Sequence, residues 1–226
     1  MLIRAVKAGD VASAEVLLND KMINVNSADK DGITPLLQSL LSRNKEIYMK
    51  LLKRGADPNV CDRLGRCVMN EAATENDTFW LKESLAHGGD PNALNKGNKH
   101  SPNSTPLFYA IQKERPGEKP RVDNVKVLID AGANVNHRNA NGVGPLRAAA
   151  GAGNYECVVE LLEAGADPLV GDKHGYTLVN WFNGRDENLV PDEDQIPWFN
   201  RAAEMLIERG LLERDADGNL KKKPSD

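Results

Sequence analysis

The chain of 226 residues has little aromatic content, few cysteines and no long hydrophobic run. Phe, Trp and Tyr make up 5% of it, which is low for a chain that fills one large globular core. Three cysteines are too few for a disulfide framework, and without an apolar run of about 18 residues we predict no membrane-spanning helix. A cationic excess is also missing, since 29 Lys and Arg face 33 Asp and Glu and the net charge is −4. This balance argues against general nucleic-acid binding, which needs a basic face to neutralise phosphates.

What the sequence does contain is a repeat of 33 residues. The segment Gly-Ala-Asp-Pro-Asn that starts at Gly55 recurs 33 residues later, at Gly88, as Gly-Gly-Asp-Pro-Asn. Related segments start at Gly132 and Gly165, and the one longer interval, of 44 residues, contains 11 inserted residues. A second series of glycines keeps the same phase at positions 32, 65, 142 and 175. Self-similarity at this period is the signature of a solenoid whose units stack on one another.

Each recurring residue has a physical role in this unit. A Thr before a Pro, as in Thr34-Pro35, starts a helix because the hydroxyl caps free amides and Pro tolerates the first helical position. A Gly directly after an apolar helix, such as Gly55, is typical of a left-handed C-terminal cap. The later glycine, as in Asp31-Gly32, indicates a hairpin turn. Each unit is therefore predicted to contain a helix, a short turn, a second helix and a projecting β-hairpin loop.

The pattern Gly-x-Thr-Pro-Leu, Ala-Ala, Leu-Leu, Gly-Ala-Asp-x-Asn resembles the ankyrin repeat over roughly residues 1–215. The resemblance implies one all-α domain, an ankyrin-repeat solenoid of about six helix-turn-helix units with β-hairpin loops. No linker is expected between the units, because no unit can bury its apolar stripe alone. The expected units are 1–29, 30–62, 63–95, 96–139, 140–172 and 173–215, followed by a frayed tail at 216–226.

Two segments resemble a narrower group within the ankyrin-repeat proteins. They are Leu-Ala-His-Gly-Gly-Asp-Pro-Asn at 85–92 and the helix end and cap at 124–134. They look like a group of bacterial ankyrin proteins that are often exported and often encoded beside lipase-type toxins. The narrower resemblance implies a partner of that class, which the protein inhibits or escorts. The first unit starts inside its first helix, so either the chain begins abruptly or upstream sequence such as a signal peptide was removed. Removal of a signal would favour a periplasmic over a cytoplasmic location.

Three units depart from the pattern. In the third, Cys67-Val68 replaces Thr-Pro, which predicts a poorly capped helix start. The fourth carries Pro- and Gly-rich inserts within 96–104 and 113–121, which are either tolerated exposed loops or partner contacts. In the sixth, the insert within 183–197 is expected to form a C-terminal cap with neighbouring aromatic residues. Because the insert also contains several acidic side chains, the alternative is that it binds a cation or a basic partner.

No catalytic constellation is visible in the sequence. The four histidines, at positions 87, 100, 137 and 174, have no helical partner at metal-ligand spacing, and the motifs of phosphate-binding loops and serine nucleophiles are missing. Cys61 and Cys67 flank one hairpin and lie close enough in sequence to meet across it, but we expect free thiols. Cys157 is expected in the core. We therefore predict no catalytic residue, no cofactor and no bound metal.

A non-enzymatic protein-binding scaffold is therefore the first functional hypothesis, with a monomer expected in the free state. The alternative is a small-molecule or metal-dependent enzyme that uses the acidic insert of the sixth unit. Partners of ankyrin arrays usually dock on hairpin tips and first helices, where this sequence places apolar side chains with charged neighbours, as a protein interface requires. The candidate partner-binding residues are Asp31, Ile33, Arg63, Leu64, Arg66, Glu75, Tyr109, Lys113, Val143, His174 and Tyr176.

Overall fold

The protein is a stack of antiparallel helix pairs in a computed structural model that describes residues 1–95, 102–112, 121–183 and 191–223. This arrangement confirms the predicted all-α solenoid. Among the described residues, no helix is both long enough and apolar enough to cross a membrane. The first helices of the pairs are α1 (Leu2–Ala8), α3 (Pro35–Leu41), α5 (Val68–Thr74), α7 (Pro106–Ile111), α9 (Pro145–Gly151) and α11 (Leu178–Asn183). The second helices are α2 (Val11–Asn19), α4 (Lys45–Lys53), α6 (Phe79–Ala86), α8 (Val122–Asp130), α10 (Tyr155–Glu163) and α12 (Ile196–Glu208).

Helices α2, α3, α4 and α10 each start at a residue whose side chain caps a free amide. The Thr34 hydroxyl accepts from the Leu37 N–H at 3.2 Å, and Pro35 occupies the first helical position. The second helices α2, α4 and α10 use Asp or Asn instead, as where Asn44 Oδ1 accepts from the Ile47 N–H at 3.0 Å. At the start of α5, Cys67 makes no side-chain capping bond, which confirms the predicted weak helix start in the third unit.

In the described part of the chain, the loops between units form four fingers, at 29–33, 62–66, 139–143 and 172–176. In the first, the Asp29 carboxylate accepts from the N–H groups of Asp31 and Ile33 at 2.9 and 3.0 Å. Gly32 has a φ of 83°, the left-handed conformation that its place in the turn predicts. The same side-chain bonds recur at Asp62, Asn139 and Asp172. Each finger is therefore fixed by its own first residue, as expected for turn-forming Asp and Asn.

Successive units are joined by a ladder of asparagines in the segments that follow the second helices. Asn59 shows the pattern, because its Oδ1 accepts from the Asp90 N–H at 2.7 Å and its Nδ2 donates to the Gly88 carbonyl at 2.9 Å. The equivalent links from the other units are made by Asn26, Asn92 and Asn136. In the fifth unit the ladder position holds Leu169, which is 53% exposed. The last unit is consequently attached in another way.

The hydrophobic core runs through the whole stack between the two rows of helices. The Leu-Leu segments of the repeat pattern predict buried pairs at 17–18, 51–52 and 161–162. The pairs at 51–52 and 161–162 are buried, and so is Leu18. Leu17, which we also expected to be buried, is only half-buried. The reason is its position in the first unit, where no preceding helix pair covers α2.

The expectation of a frayed tail was wrong as far as residue 223, because this part of the chain forms a β-hairpin. Strands β1 (Leu212–Arg214) and β2 (Leu220–Lys222) pair as an antiparallel hairpin whose turn repeats the bonds of the fingers at Asp215. The hairpin docks on α11, where the Lys222 N–H donates to Asn183 Oδ1 at 2.7 Å, and Leu212 is buried. Side chains that the repeat pattern does not include therefore hold the last unit.

Aromatic packing beneath α12 supports the expected C-terminal cap, although part of the 183–197 insert lies outside the described residues. Phe182 and Phe199 stack with ring centroids 4.8 Å apart, and Tyr155 meets Phe199 edge-on at 5.1 Å. Gln195, buried in a short 3-10 helix before α12, accepts from the Tyr155 N–H at 2.9 Å. These contacts cover the apolar side of α10 that a further unit would otherwise cover.

Cys61 and Cys67 form a disulfide, so the expectation of free thiols was wrong. The two residues directly flank the finger 62–66 and pair across it as an antiparallel bridge, which brings their side chains to the same side. The bond closes the base of that finger at the entrance to α5, the helix that lacks a capping side chain. Cys157 is free and buried in the core, as predicted.

Candidate protein-binding face

The finger tips carry most of the predicted partner-binding residues to one edge of the stack. Asp31, Arg63, Leu64 and His174 are exposed there. Leu64 is 71% exposed, and Tyr176 is 41% exposed. The first two fingers are in direct contact, since the Arg63 N–H donates to the Asp31 carbonyl at 3.0 Å. Within the described residues, the tips therefore place exposed apolar and charged groups on the same edge of the stack.

Two of the predicted tip residues are less exposed than expected. Ile33 and Val143 are half-buried, and Ile33 packs against the hydrophobic core. Both follow the turn glycine and directly precede the residue that starts the next helix, so the chain has already turned back toward the stack. For Ile33, the expectation of a solvent-facing tip was wrong.

Arg66 forms an ion pair within its own finger. Its guanidinium binds the Asp62 carboxylate, with both Nε and Nη2 at 2.7 Å from Oδ2. The Asp62 side chain is 1% exposed, so this ion pair is shielded from solvent on one side. The pair, the turn bonds of Asp62 and the disulfide below them hold the finger 62–66 in one shape, which leaves Arg63 as its free cation.

Glu75 and Tyr109 lie away from the tips. Glu75 is in the turn between α5 and α6, where it forms an ion pair with Arg43 of the preceding unit at 3.2 Å. Tyr109 is half-buried on α7, and its hydroxyl accepts from Asn95 Nδ2. Lys113 lies outside the described residues. The structure therefore groups the finger residues but does not bring Glu75 to them.

The sequence analysis missed two residues on this face, Arg147 of α9 and Trp181 of α11. The guanidinium carbon of Arg147 lies 4.6 Å from the Trp181 ring centroid and 5.7 Å from that of Tyr176. One signal was available, because Gly-Pro-Leu-Arg places a charge at 147 where the equivalent segments have Leu37 and Phe108. The aromatic partner could not be found in this way, since it belongs to the next unit.

Comparison with known proteins identifies the family. The family described as ankyrin repeats, in three copies, matches residues 68–172. The whole described stack also superposes on solved ankyrin structures, with coverage of 92% of this chain. The chain is an ankyrin-repeat protein. Ankyrin repeats generally mediate protein–protein interaction, and proteins built from them are generally non-enzymatic scaffolds.

Similar ankyrin-repeat proteins come from distant organisms. An ankyrin repeat domain from Acinetobacter baumannii is 26% identical, with a TM-score of 0.73 and 97% of that chain covered. A second crystal structure of an ankyrin repeat protein is 25% identical, with a TM-score of 0.71 and 96% covered. Human rabankyrin-5 is 25% identical over 82% of this chain, but the match spans 17% of rabankyrin-5. The shared part is therefore the repeat array.

The acidic segment of the last ankyrin unit is only partly described, since Asp186 and Glu187 fall outside. Asp192 precedes the short 3-10 helix, and Asp194 Oδ2 accepts from Gln195 Nε2 at 3.2 Å. In the described ranges, no group of three His, Cys, Asp or Glu side chains is arranged to hold a metal ion. Of the described carboxylates of this segment, that of Asp194 is thus hydrogen-bonded within the cap.

Proposed function

We propose that this ankyrin-repeat protein is a non-enzymatic scaffold that binds another protein on its finger face. The observation that supports this most directly is the exposure of Leu64 and Tyr176, at 71% and 41%, on tips flanked by Arg63 and Lys173. Large apolar side chains surrounded by charged ones are the composition of a protein interface.

The rigidity of the fingers also favours binding. Each finger is held by side-chain bonds from its first residue, and the finger 62–66 has an additional ion pair and a disulfide. A preformed surface loses less conformational entropy when a partner docks, so more of the interaction free energy appears as affinity. The fingers thus present their tips in the conformation that a partner would contact.

The narrower proposal concerns the identity of the partner. The segments 85–92 and 124–134 resemble bacterial ankyrin proteins encoded beside lipase-type toxins. On that resemblance we propose that the partner is a lipase-type protein, which this chain inhibits or escorts. The argument is one of family likeness rather than of site chemistry, so the experiment must test the partner and the face separately.

The experiment measures binding of a lipase-type protein encoded next to this chain, by calorimetry, to two finger variants. Leu64→Asp and Tyr176→Asp place a charge where a complex would bury it against apolar surface. Both should fold with a stability change of no more than about 0.5 kcal/mol, and at least one should bind more than about tenfold more weakly. Ile33→Asp should instead destabilise the protein, because Ile33 packs on the core.

The matched control is Val16→Asp on α2, because Val16 has the same 71% exposure as Leu64 but does not lie on a finger. It should bind normally. Normal binding by both finger variants would contradict the finger face, whereas no binding by the wild type would contradict the lipase-type partner. Stoichiometric bound metal, or turnover lost in Asp192→Asn or Asp194→Asn, would instead favour the enzyme alternative.

A further inference from the structure

Among the described residues, Arg147 has no hydrogen-bonding partner, in a place where arginines need one. It is half-buried on α9, and its Nε is fully shielded from solvent with no acceptor. In the described part of the chain, the other arginines that are half-buried or buried, at positions 54, 66 and 121, all donate to a carbonyl or a carboxylate. A shielded donor without an acceptor costs free energy, because the hydrogen bond it made with water is lost.

Two aromatic rings and a glycine hold the Arg147 guanidinium in place. It lies over Trp181 at 4.6 Å and near Tyr176 at 5.7 Å, distances at which a cation is attracted to a ring face. A Cβ added at Gly151 would stand 2.8 Å from Nη1, so the absence of a side chain at 151 makes room for the group. The rings cover the faces of the planar guanidinium, and because Nε is shielded from solvent, the terminal Nη groups are the donors left for a ligand.

Among the described residues, no carboxylate is hydrogen-bonded to or ion-paired with Arg147. In the fingers 139–143 and 172–176 and in helices α9 and α11, Asp172 is the only acidic residue. Its carboxylate accepts from the N–H groups of Tyr176 and His174, at 3.1 and 2.8 Å. These backbone bonds lower the pKa of Asp172, with a smaller contribution from the charge of Arg147. The Asp172 carboxylate is therefore engaged in the turn. The same segments contain two cations, Arg147 and Lys173, for this one acidic residue.

We propose that Arg147, Trp181 and Tyr176 form a pocket that binds an Asp or Glu side chain on an extended segment of the partner protein. A carboxylate matches the guanidinium edge in charge and geometry and can accept two parallel N–H bonds. The exposed Tyr176 ring would cover the aliphatic part of the same segment. This inference rests on the proposed function and specifies the chemistry that the finger face recognises at its C-terminal end.

The experiment selects peptides of 12 random residues, displayed on phage, on the immobilised full chain. Selected peptides are then synthesised with blocked termini, and their affinity is measured by fluorescence anisotropy. We expect an acidic residue at one fixed position, and about tenfold weaker binding when it is changed to its amide. The same change should have no effect on the Arg147→Met variant, which keeps an apolar side chain beside the rings but lacks the charge.

Two further variants separate binding from folding. Gly151→Ala should push the guanidinium from its place and weaken the acidic peptides, yet thermal unfolding should show equal or higher stability, because Ala is the better helix former. Arg63→Met is the matched control, since Arg63 is an exposed arginine on another finger. If Arg147→Met unfolds early, Arg147→Lys keeps the charge without the planar fork and should still lose part of the affinity.

The outcomes distinguish this inference from the proposed function. If peptides bind and are lost in Leu64→Asp or Tyr176→Asp, but show no acidic position and no dependence on Arg147, the pocket is refuted and the finger face stands. If no selected peptide depends on the fingers, both proposals are overturned. A loss with Arg63→Met equal to that with Arg147→Met would show general charge attraction and also refute the pocket.

Discussion

Leu17 and Leu51 allow the stacking of units to be tested with one substitution at two matched positions. Each is the seventh residue after the residue that caps its helix, Asp10 or Asn44. Leu51 has no exposed surface, whereas Leu17 is half-buried in the unit that lacks a preceding neighbour. Leu51→Ala should therefore cost about 2–5 kcal/mol, the sum of lost burial and a cavity that cannot collapse. Leu17→Ala should cost about 1 kcal/mol or less, because water can fill the space.

Unfolding followed by circular dichroism measures both changes. For a chain of this size each kcal/mol lowers the melting temperature by roughly 2–4 °C, so Leu51→Ala should melt about 4–20 °C earlier than the wild type. Urea titration on the same samples gives the free energies and shows whether the slope, and hence the cooperativity, is unchanged. Equal losses at the two positions would show that the neighbouring unit does not bury Leu51, and would refute the stacking argument.

Three other predictions concern the bonds that hold the fingers and the ladder. Replacing Cys61 and Cys67 by Ser should cost about 2 kcal/mol in urea unfolding, because a short closed loop is released, and a reducing agent should destabilise the wild type but not this variant. Asn59→Ala should cost about 1–3 kcal/mol in the same assay, since two bonds to the next unit are lost. Backbone hydrogen bonds lower the pKa of the Asp172 and Asp215 carboxyls below the ordinary value of 3.8. The stabilisation that these bonds give the fold is fully present above pH 3.8, and it is lost as the pH falls through the lowered pKa. The melting temperature of the wild type should therefore fall below about pH 4 more steeply than that of Asp172→Asn, and identical pH profiles would contradict this.

The sequence by itself determined the repeat, the helix starts and ends, and the turns. Thr34, Asn44 and Asp29 each satisfy backbone groups within four residues of themselves, so their effect is set by local chain geometry. A glycine such as Gly32 is required because the turn needs a positive φ that side chains disfavour. Signals of this kind depend on short stretches of chain, and a period of 33 residues makes each one visible several times.

Only the tertiary structure decided the contacts between units and the contacts at the ends of the stack. Leu17 has the same sequence context as Leu51, but its burial depends on whether another helix pair lies beside it. The disulfide at Cys61 depends on the side to which two flanking residues point, and the terminal hairpin depends on docking against α11. The pocket at Arg147 needs rings from the following unit, 29 and 34 residues further along the chain. A repeat pattern describes each unit with average neighbours, so residues whose role comes from one particular neighbour can be recognised only once the units are stacked.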